Sequence, residues 1–220
     1  MDKDKLEAVK ETVMEVAKLM YEKNLVNALE GNVSCRIGDK ICITPSGMCK
    51  GYLKREMIVV IDISGNISEG IYKPSSEYKM HLAAYNLRDD IKAVVHTHSP
   101  YATAYAIANK PIMTKAYPEA VIAFDYIPLV EYGTPSTDAV YSGFSKYIYS
   151  VDVFLIANHG IVSVGQDPFD AFFKIEAAES IAKVLTIAGQ IGGEHDLPED
   201  EIDLLYEMRK KNFGRERIKA

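Results

Sequence analysis

The residue types best suited to chemistry are the imidazoles of His96-Thr97-His98, which end the apolar run Ile91-Lys92-Ala93-Val94-Val95. Side chains alternate faces along a β-strand, so residues i and i+2 project the same way. Two ring nitrogens therefore point together from one strand end, as a divalent metal site requires. A second strand-like run, Val151 to Ala157, leads into Asn158-His159-Gly160 and supplies a third imidazole. Three histidines at two strand ends suggest zinc held open for chemistry, since closed structural zinc sites more often use cysteine. The competing reading of His96 and His98 is a pair of solvated or core-satisfied histidines. The concentration of three of the chain's five histidines at the two strand ends favours metal. His195, in the polar stretch Gly192-Gly193-Glu194-His195-Asp196, reads as an exposed bystander.

Four segments rich in small polar residues accompany the histidines: Gly31-Asn32-Val33-Ser34, Thr44-Pro45-Ser46-Gly47, Ser75-Ser76-Glu77 and Asn158-His159-Gly160. The first three read as a phosphate cradle without lysine, built from hydroxyls, an Asn amide, glycine N–H groups and a helix N-terminus. Taken singly, each reads first as a tight turn or a capped helix; their co-occurrence with a metal candidate shifts the balance. Glu77 stands at the first turn of its helix, where a carboxylate complements the dipole; beside a metal it could be a fourth ligand or a general base. His81, one turn further on, reads as packing or as support behind the site.

These residues need elements to hold them. Apolar positions Leu6, Val9, Val13, Val16, Ala17 and Met20 form a helical stripe over residues 2–23. Residues 32–37 and 40–44 read as a hairpin around Gly38-Asp39, and 58–63 as a strand closed by the turn Ser64-Gly65-Asn66. Pro74-Ser75-Ser76-Glu77 opens a helix to about Arg88, with Ser75 or Ser76 as N-cap. Ser99-Pro100 starts a helix over 101–108; 120–130 and 151–157 read as extended, and 136–149 as helical. Asp167-Pro168 opens a long helix to about Ala188, and 198–211 forms the last. The irregular alternation and the hairpin predict a mixed sheet.

Composition bounds the rest. The 220 residues suit one domain with a sizeable core, and 48% hydrophobic with 25% charged residues is ordinary for a globular enzyme. A net charge of −6 argues against general nucleic-acid binding. The basic positions Arg209-Lys210-Lys211 and Arg215-Glu216-Arg217 read as a solvated helix end. No eighteen-residue apolar stretch exists, so no membrane span is expected, and the charged start Met1-Asp2-Lys3-Asp4-Lys5 is unlike a signal peptide. Cytoplasmic localisation is the default. Cys35, Cys42 and Cys49 lack metal spacing and read as free thiols in core or pocket-lining positions.

The five segments containing Gly31-Asn32, Ser46-Gly47, Ser75-Ser76-Glu77, His96-Thr97-His98 and His159-Gly160 resemble, in order and spacing, those of the class II aldolase/adducin family, nearest its fuculose-phosphate-cleaving branch. The resemblance implies one domain over residues 1–220, a three-layer α/β/α fold whose central sheet is mixed and predominantly antiparallel. It also implies one Zn²⁺ per subunit on His96, His98 and His159, with Glu77 completing the resting shell. The phosphate of dihydroxyacetone phosphate would be held by Asn32, Ser46, Gly47, Ser75 and Ser76, with Gly31 shaping the loop. The implied reaction cleaves a ketose 1-phosphate such as L-fuculose 1-phosphate into dihydroxyacetone phosphate and a short aldehyde such as L-lactaldehyde, Glu77 moving the proton at the nucleophilic carbon. Tyr117, from a neighbouring subunit, would serve the aldehyde oxygen, which implies a homotetramer with sites at subunit interfaces. Phe213 stands where that branch carries a tyrosine, and Leu29-Glu30 where it carries small residues, so aldehyde range and one phosphate contact should differ. Methylthioribulose-1-phosphate dehydratases and L-ribulose-5-phosphate 4-epimerases share the scaffold; Glu77 in place of aspartate argues against the epimerase and Tyr117 against the dehydratase. Adducins keep the fold as an interaction module without the ligands.

Overall fold

The computed structural model describes residues 3–214, 216 and 217; Met1, Asp2 and Arg215, read above as parts of charged termini, lie outside them. In chain order the elements are α1 (Lys3–Glu22), β1 (Asn32–Ile37), β2 (Lys40–Ile43), β3 (Val59–Asp62), β4 (Ile67–Glu69), α2 (Tyr78–Leu87), β5 (Ala93–Thr97), α3 (Pro100–Ile107), β6 (Ile112–Met113), α4 (Pro118–Ala123), β7 (Tyr126–Ile127), β8 (Leu129–Val130), β9 (Val153–Ile156), β10 (Gly160–Gly165), α5 (Pro168–Ile191) and α6 (Glu199–Phe213).

Eight strands form one sheet in the order β4-β3-β2-β1-β5-β10-β9-β8, while β6 and β7 pair separately. Every pairing in the large sheet is antiparallel except β8 with β9. The expected mixed, mainly antiparallel sheet between helical layers is therefore what the chain adopts. β5 lies at the centre because its Ala-Val-Val-His-Thr sequence is buried on both faces. Val95 faces a core that includes Val16, Met20 and Ile175 from α1 and α5. Val94 faces a second core that includes Met80, Tyr85, Phe144 and Phe154, on the side of α2. Since i and i+2 share a face, His96 is on the α2 side with Val94.

Several boundaries differ from those expected. The span 120–130 is not one extended run: Pro118 at the first helical position starts α4, and only 126–127 and 129–130 are strands. Residues 136–149 are not an α-helix but two single 3₁₀ turns, Asp138–Tyr141 and Phe144–Lys146, because Ser136 takes a left-handed φ of 64° and Gly143 separates them. β4 and β10 were not anticipated; β4 is a three-residue, fully exposed edge strand, and β10 follows His159 directly, with no linking polar stretch to mark it. The N-cap position of helix α2, where the side chain makes no capping bond to the helix, is Glu77 rather than Ser75 or Ser76. The reason is an extended bridge between Pro45 and Pro74, with Ser46 N donating to Lys73 O at 3.0 Å and Ser75 N to Thr44 O at 3.0 Å, which holds 74–75 out of the helix.

Candidate metal centre

Strand register assembles the centre. Asn32 on β1 and Val162 on β10 both lie opposite His96 on β5. Gly31, at φ +72°, makes the close approach possible: a Cβ there would stand 2.3 Å from Val26 Cγ1 and 3.0 Å from the His96 carbonyl. His98 and His159 stand just beyond β5 and just before β10, and Glu77 faces them from the N-cap of α2.

One ligating atom from each of Glu77, His96, His98 and His159 falls within a mutual 4.8 Å. The three ring centroids are 4.8–4.9 Å apart. Glu77 Oε2 lies 3.4 Å from His96 Nε2, and Glu77 Oε1 lies 3.2 Å from His159 Nε2. His96 Nδ1–H donates to the Ile161 carbonyl at 2.9 Å, leaving the Nε2 lone pair turned inward, 3.0 Å from His98 Nε2. Glu77 Oε1 is buried without a hydrogen-bond partner. Inward-facing nitrogen lone pairs and an orphaned carboxylate oxygen are what a bound cation would satisfy, so the four residues fit a divalent metal ion.

Burial pulls His96 down to about 3, with the neighbouring His98 and His159 pulling the same way against Glu77. It lowers His98 as well. Neutral imidazole is the form that ligates. Burial pushes the Glu77 carboxyl up, but His96, His159 and Asn32 together outweigh it and hold the group below the usual carboxylate range.

Behind the four stands a buried chain of hydrogen bonds. Residues 77, 81 and 85 recur at the i, i+4 spacing of one helix face and meet Asn32 and Ser34, which share a face of β1. Asn32 Nδ2 donates to Glu77 Oε2 at 2.9 Å. Asn32 Oδ1 must then accept, so His81 Nε2–H donates to it at 2.5 Å and His81 Nδ1 accepts from Ser34 Oγ at 2.7 Å. Ser34 Oγ in turn accepts from Tyr85 OH at 2.6 Å. Burial lowers His81 to about 4, which keeps it in the neutral tautomer this chain requires. The expectation that His81 supports the site agrees with this geometry. Ser34, by contrast, belongs to this network and not to a cradle.

A cavity of about 240 Å³ opens onto the centre, lined by Leu29, Glu30, Gly31, Asn32, Pro45, Ser46, Gly47, Lys50, Ser75, Ser76, Glu77, His98, Pro135, Ser136 and His159. Gly31, Asn32, Ser46, Gly47, Ser75 and Ser76 are among them, whereas Val33, Ser34 and Thr44 of the same segments are not. Tyr117 is not; it caps α4 and packs, half-buried, against the core. Phe213 lines a separate apolar hollow with Phe124 and Phe173. Glu30, at the position read as departing from the fuculose-phosphate-cleaving branch, approaches His98 Nδ1 with its Oε2 at 3.6 Å. Lys50, Pro135 and Ser136 line the cavity too without having been singled out, the last two from or beside the segment read as helix. A sequence offers no signal for a lysine that turns inward. Elsewhere, His195 is exposed, as expected, and Cys35 and Cys42 are buried thiols that burial pushes up to about 12, while Cys49 is half-buried. Arg209 is not solvated as expected: it is 1% exposed and donates to the Ile122 carbonyl at 2.9 Å.

The sequence pattern of the Class II Aldolase and Adducin N-terminal domain matches residues 11–186. The chain belongs to that family. Within the class II aldolase and adducin family it is 38% identical over 171 residues to an L-fuculose phosphate aldolase of Methanococcus maripaludis, covering 78% of this chain and 92% of that one. It is 33% identical over 189 residues to a 3-oxo-tetronate 4-phosphate decarboxylase of Haemophilus influenzae, covering 83% and 90%. A solved L-fuculose 1-phosphate aldolase superposes with a TM-score of 0.84 at 32% identity, covering 97% of this chain and 98% of that one. Members thus share the fold while differing in reaction. Among the described residues no helix is long and apolar enough to cross a membrane.

Proposed function

We propose that this chain is a zinc-dependent lyase that cleaves a ketose 1-phosphate, L-fuculose 1-phosphate first among them, into dihydroxyacetone phosphate and a short aldehyde. The observation that carries the reading is the convergence of Glu77, His96, His98 and His159 beside a cavity edged with Ser46, Gly47, Ser75 and Ser76. Zinc on the three imidazoles would supply Lewis acidity to the substrate's carbonyl and hydroxyl oxygens, so that charge released by carbon–carbon cleavage has a counter-charge. When the C3–C4 bond breaks, its electron pair stays on C3, and Glu77, which rests as a carboxylate, is placed to return to C3 the proton released from the C4 hydroxyl. The C4 hydroxyl proton must leave as the aldehyde forms. We assign that transfer to Tyr117 of a neighbouring subunit, because Tyr117 does not line the cavity of its own chain. The reading therefore includes a homo-oligomer, a tetramer by family resemblance, acting in the cytoplasm, with residues 1–220 as its one domain.

Asn32 keeps Glu77 oriented through the transfer, since its amide is itself locked by His81. The deciding experiment is release of dihydroxyacetone phosphate from L-fuculose 1-phosphate by zinc-loaded protein, with and without chelator. Chelator-sensitive release is the expected outcome. No release would reject the reading and direct the same assay to decarboxylation of 3-oxo-tetronate 4-phosphate, dehydration of methylthioribulose 1-phosphate and epimerisation of ribulose 5-phosphate.

A further inference from the structure

Lys50 is 2% exposed, one of the largest fully buried side chains in the molecule, yet it lines the cavity. It begins the 3₁₀ turn Lys50–Tyr52, which is pressed against α1: a Cβ on Gly51 would stand 2.3 Å from the ring of Tyr21, so only glycine lets the turn seat this deeply. The Lys50 ammonium has three N–H donors. One donates to the Met48 carbonyl at 2.9 Å, and among the described residues no carboxylate lies within ion-pair distance of it. Burial pulls its pKa below the ordinary lysine value, against the raising influence of Cys49 and Glu77. Lysine is almost never buried without a partner, because an uncompensated ammonium loses its hydration.

The charges around the cavity sharpen the point. Its lining carries the carboxylates Glu30 and Glu77, which repel an incoming dianion, and among the described residues Lys50 is its sole lysine or arginine. Neutral donors alone, such as Ser46, Ser75 and Ser76, satisfy phosphate oxygens but bring no positive charge to the dianion.

We propose that Lys50 is the charge partner of the substrate's phosphate group and sets this chain's preference for phosphorylated over free sugars. It keeps its bond to Met48 O and donates its remaining N–H groups to phosphate oxygens; no proton changes hands. The proposal rests on the sugar-phosphate reading above and deepens it.

The test uses zinc-loaded wild type, Lys50→Met, Lys50→Gln and Lys50→Arg. Inorganic phosphate is titrated against each as a competitive inhibitor, and KM and kcat are measured for L-fuculose 1-phosphate and for unphosphorylated L-fuculose. Removing one partner of a buried charge pair should weaken phosphate at least about 30-fold and raise KM for the phosphorylated ketose similarly, with kcat moved far less. The preference for the phosphorylated ketose should fall in parallel, zinc content should stay stoichiometric, and Lys50→Arg should recover part of the affinity. A merely structural lysine would depress both sugars alike and leave the preference intact. Met and Gln variants that hold phosphate within about twofold of wild type would overturn the proposal while leaving the aldolase reading standing. A wild type that turns over no phosphorylated ketose and binds no phosphate would instead overturn that reading, and this assignment with it.

Discussion

At the scale of single residues, the centre asks different things of its four converging groups. His96 is buried among them, its tautomer set by the Ile161 carbonyl, so removing it takes away both a ligand and the inward lone pair. His96→Ala should lose metal and activity together, read by metal analysis and by product release; turnover by a zinc-free His96→Ala protein would sink the metal mechanism. Glu77→Gln keeps the side chain's shape and one oxygen but cannot deliver a proton. It should retain metal while product formation falls about 10²–10⁴-fold, the range expected for loss of a general acid. Glu77 could be named from its sequence neighbours Ser75 and Ser76, but its bond to Asn32 could not. Asn32 is 45 residues away and is brought to it by strand register alone.

At the scale of elements, α2 and α3 are held by buried polar groups whose loss should be measurable. Glu179 on α5 accepts from Tyr101 N at 2.9 Å and Ala102 N at 2.8 Å, capping the helix that follows His98 directly. Glu179→Ala leaves two N–H groups buried and unpaired, each costing about 1–3 kcal/mol. Chemical denaturation should show that loss, and zinc affinity should fall because His98 loses its anchor. On α2, His81 is buried and pulled to about 4 from an ordinary value of 6.5. Its folded pKa lies below the unfolded one, so between these values the unfolded chain binds a proton that the folded chain refuses. Stability should therefore fall as pH drops from 6.5 to about 4, and His81 should contribute no further slope below that. His81→Gln should flatten the dependence by about 1.4 kcal/mol per pH unit in that window, as read from urea midpoints. Helix α5 was legible because Asp167 caps it, accepting from Asp170 N, and Pro168 occupies its first turn. β10 was not: Gly160-Ile-Val-Ser-Val-Gly165 carries no alternation, since the strand is buried on both faces.

At the scale of the whole molecule, the cavity is incomplete for the proposed reaction, since among the described residues of its own chain no tyrosine lines it. Light scattering should report an oligomer, with a tetramer expected. Mixing supplies the sharper test. Glu77→Gln and Tyr117→Phe subunits, each poorly active alone, should regain a fraction of wild-type turnover when unfolded and reassembled together, because some interfaces then pair an intact Glu77 with an intact Tyr117. No recovery in mixed oligomers would remove Tyr117 from the neighbour's site. Tyr117→Phe alone should slow cleavage yet spare proton exchange on dihydroxyacetone phosphate, a step that involves no aldehyde.

What the sequence determined by itself was local. Backbone periodicity alone puts His96 and His98 on one side of a strand, and Glu77, His81 and Tyr85 on one face of a helix. Pro and Asp at helix starts mark where those faces begin. The tertiary structure decided everything that depends on distant segments meeting. It set Asn32 opposite His96, moved Ser34 out of the cradle and into the network behind Glu77, and buried Lys50 in the lining of the cavity. The physical reason is that dihedral sterics act between neighbours in the chain. Register and burial are settled only when whole elements pack, and there a one-residue slip of β1 would turn Asn32 to the other face of the sheet.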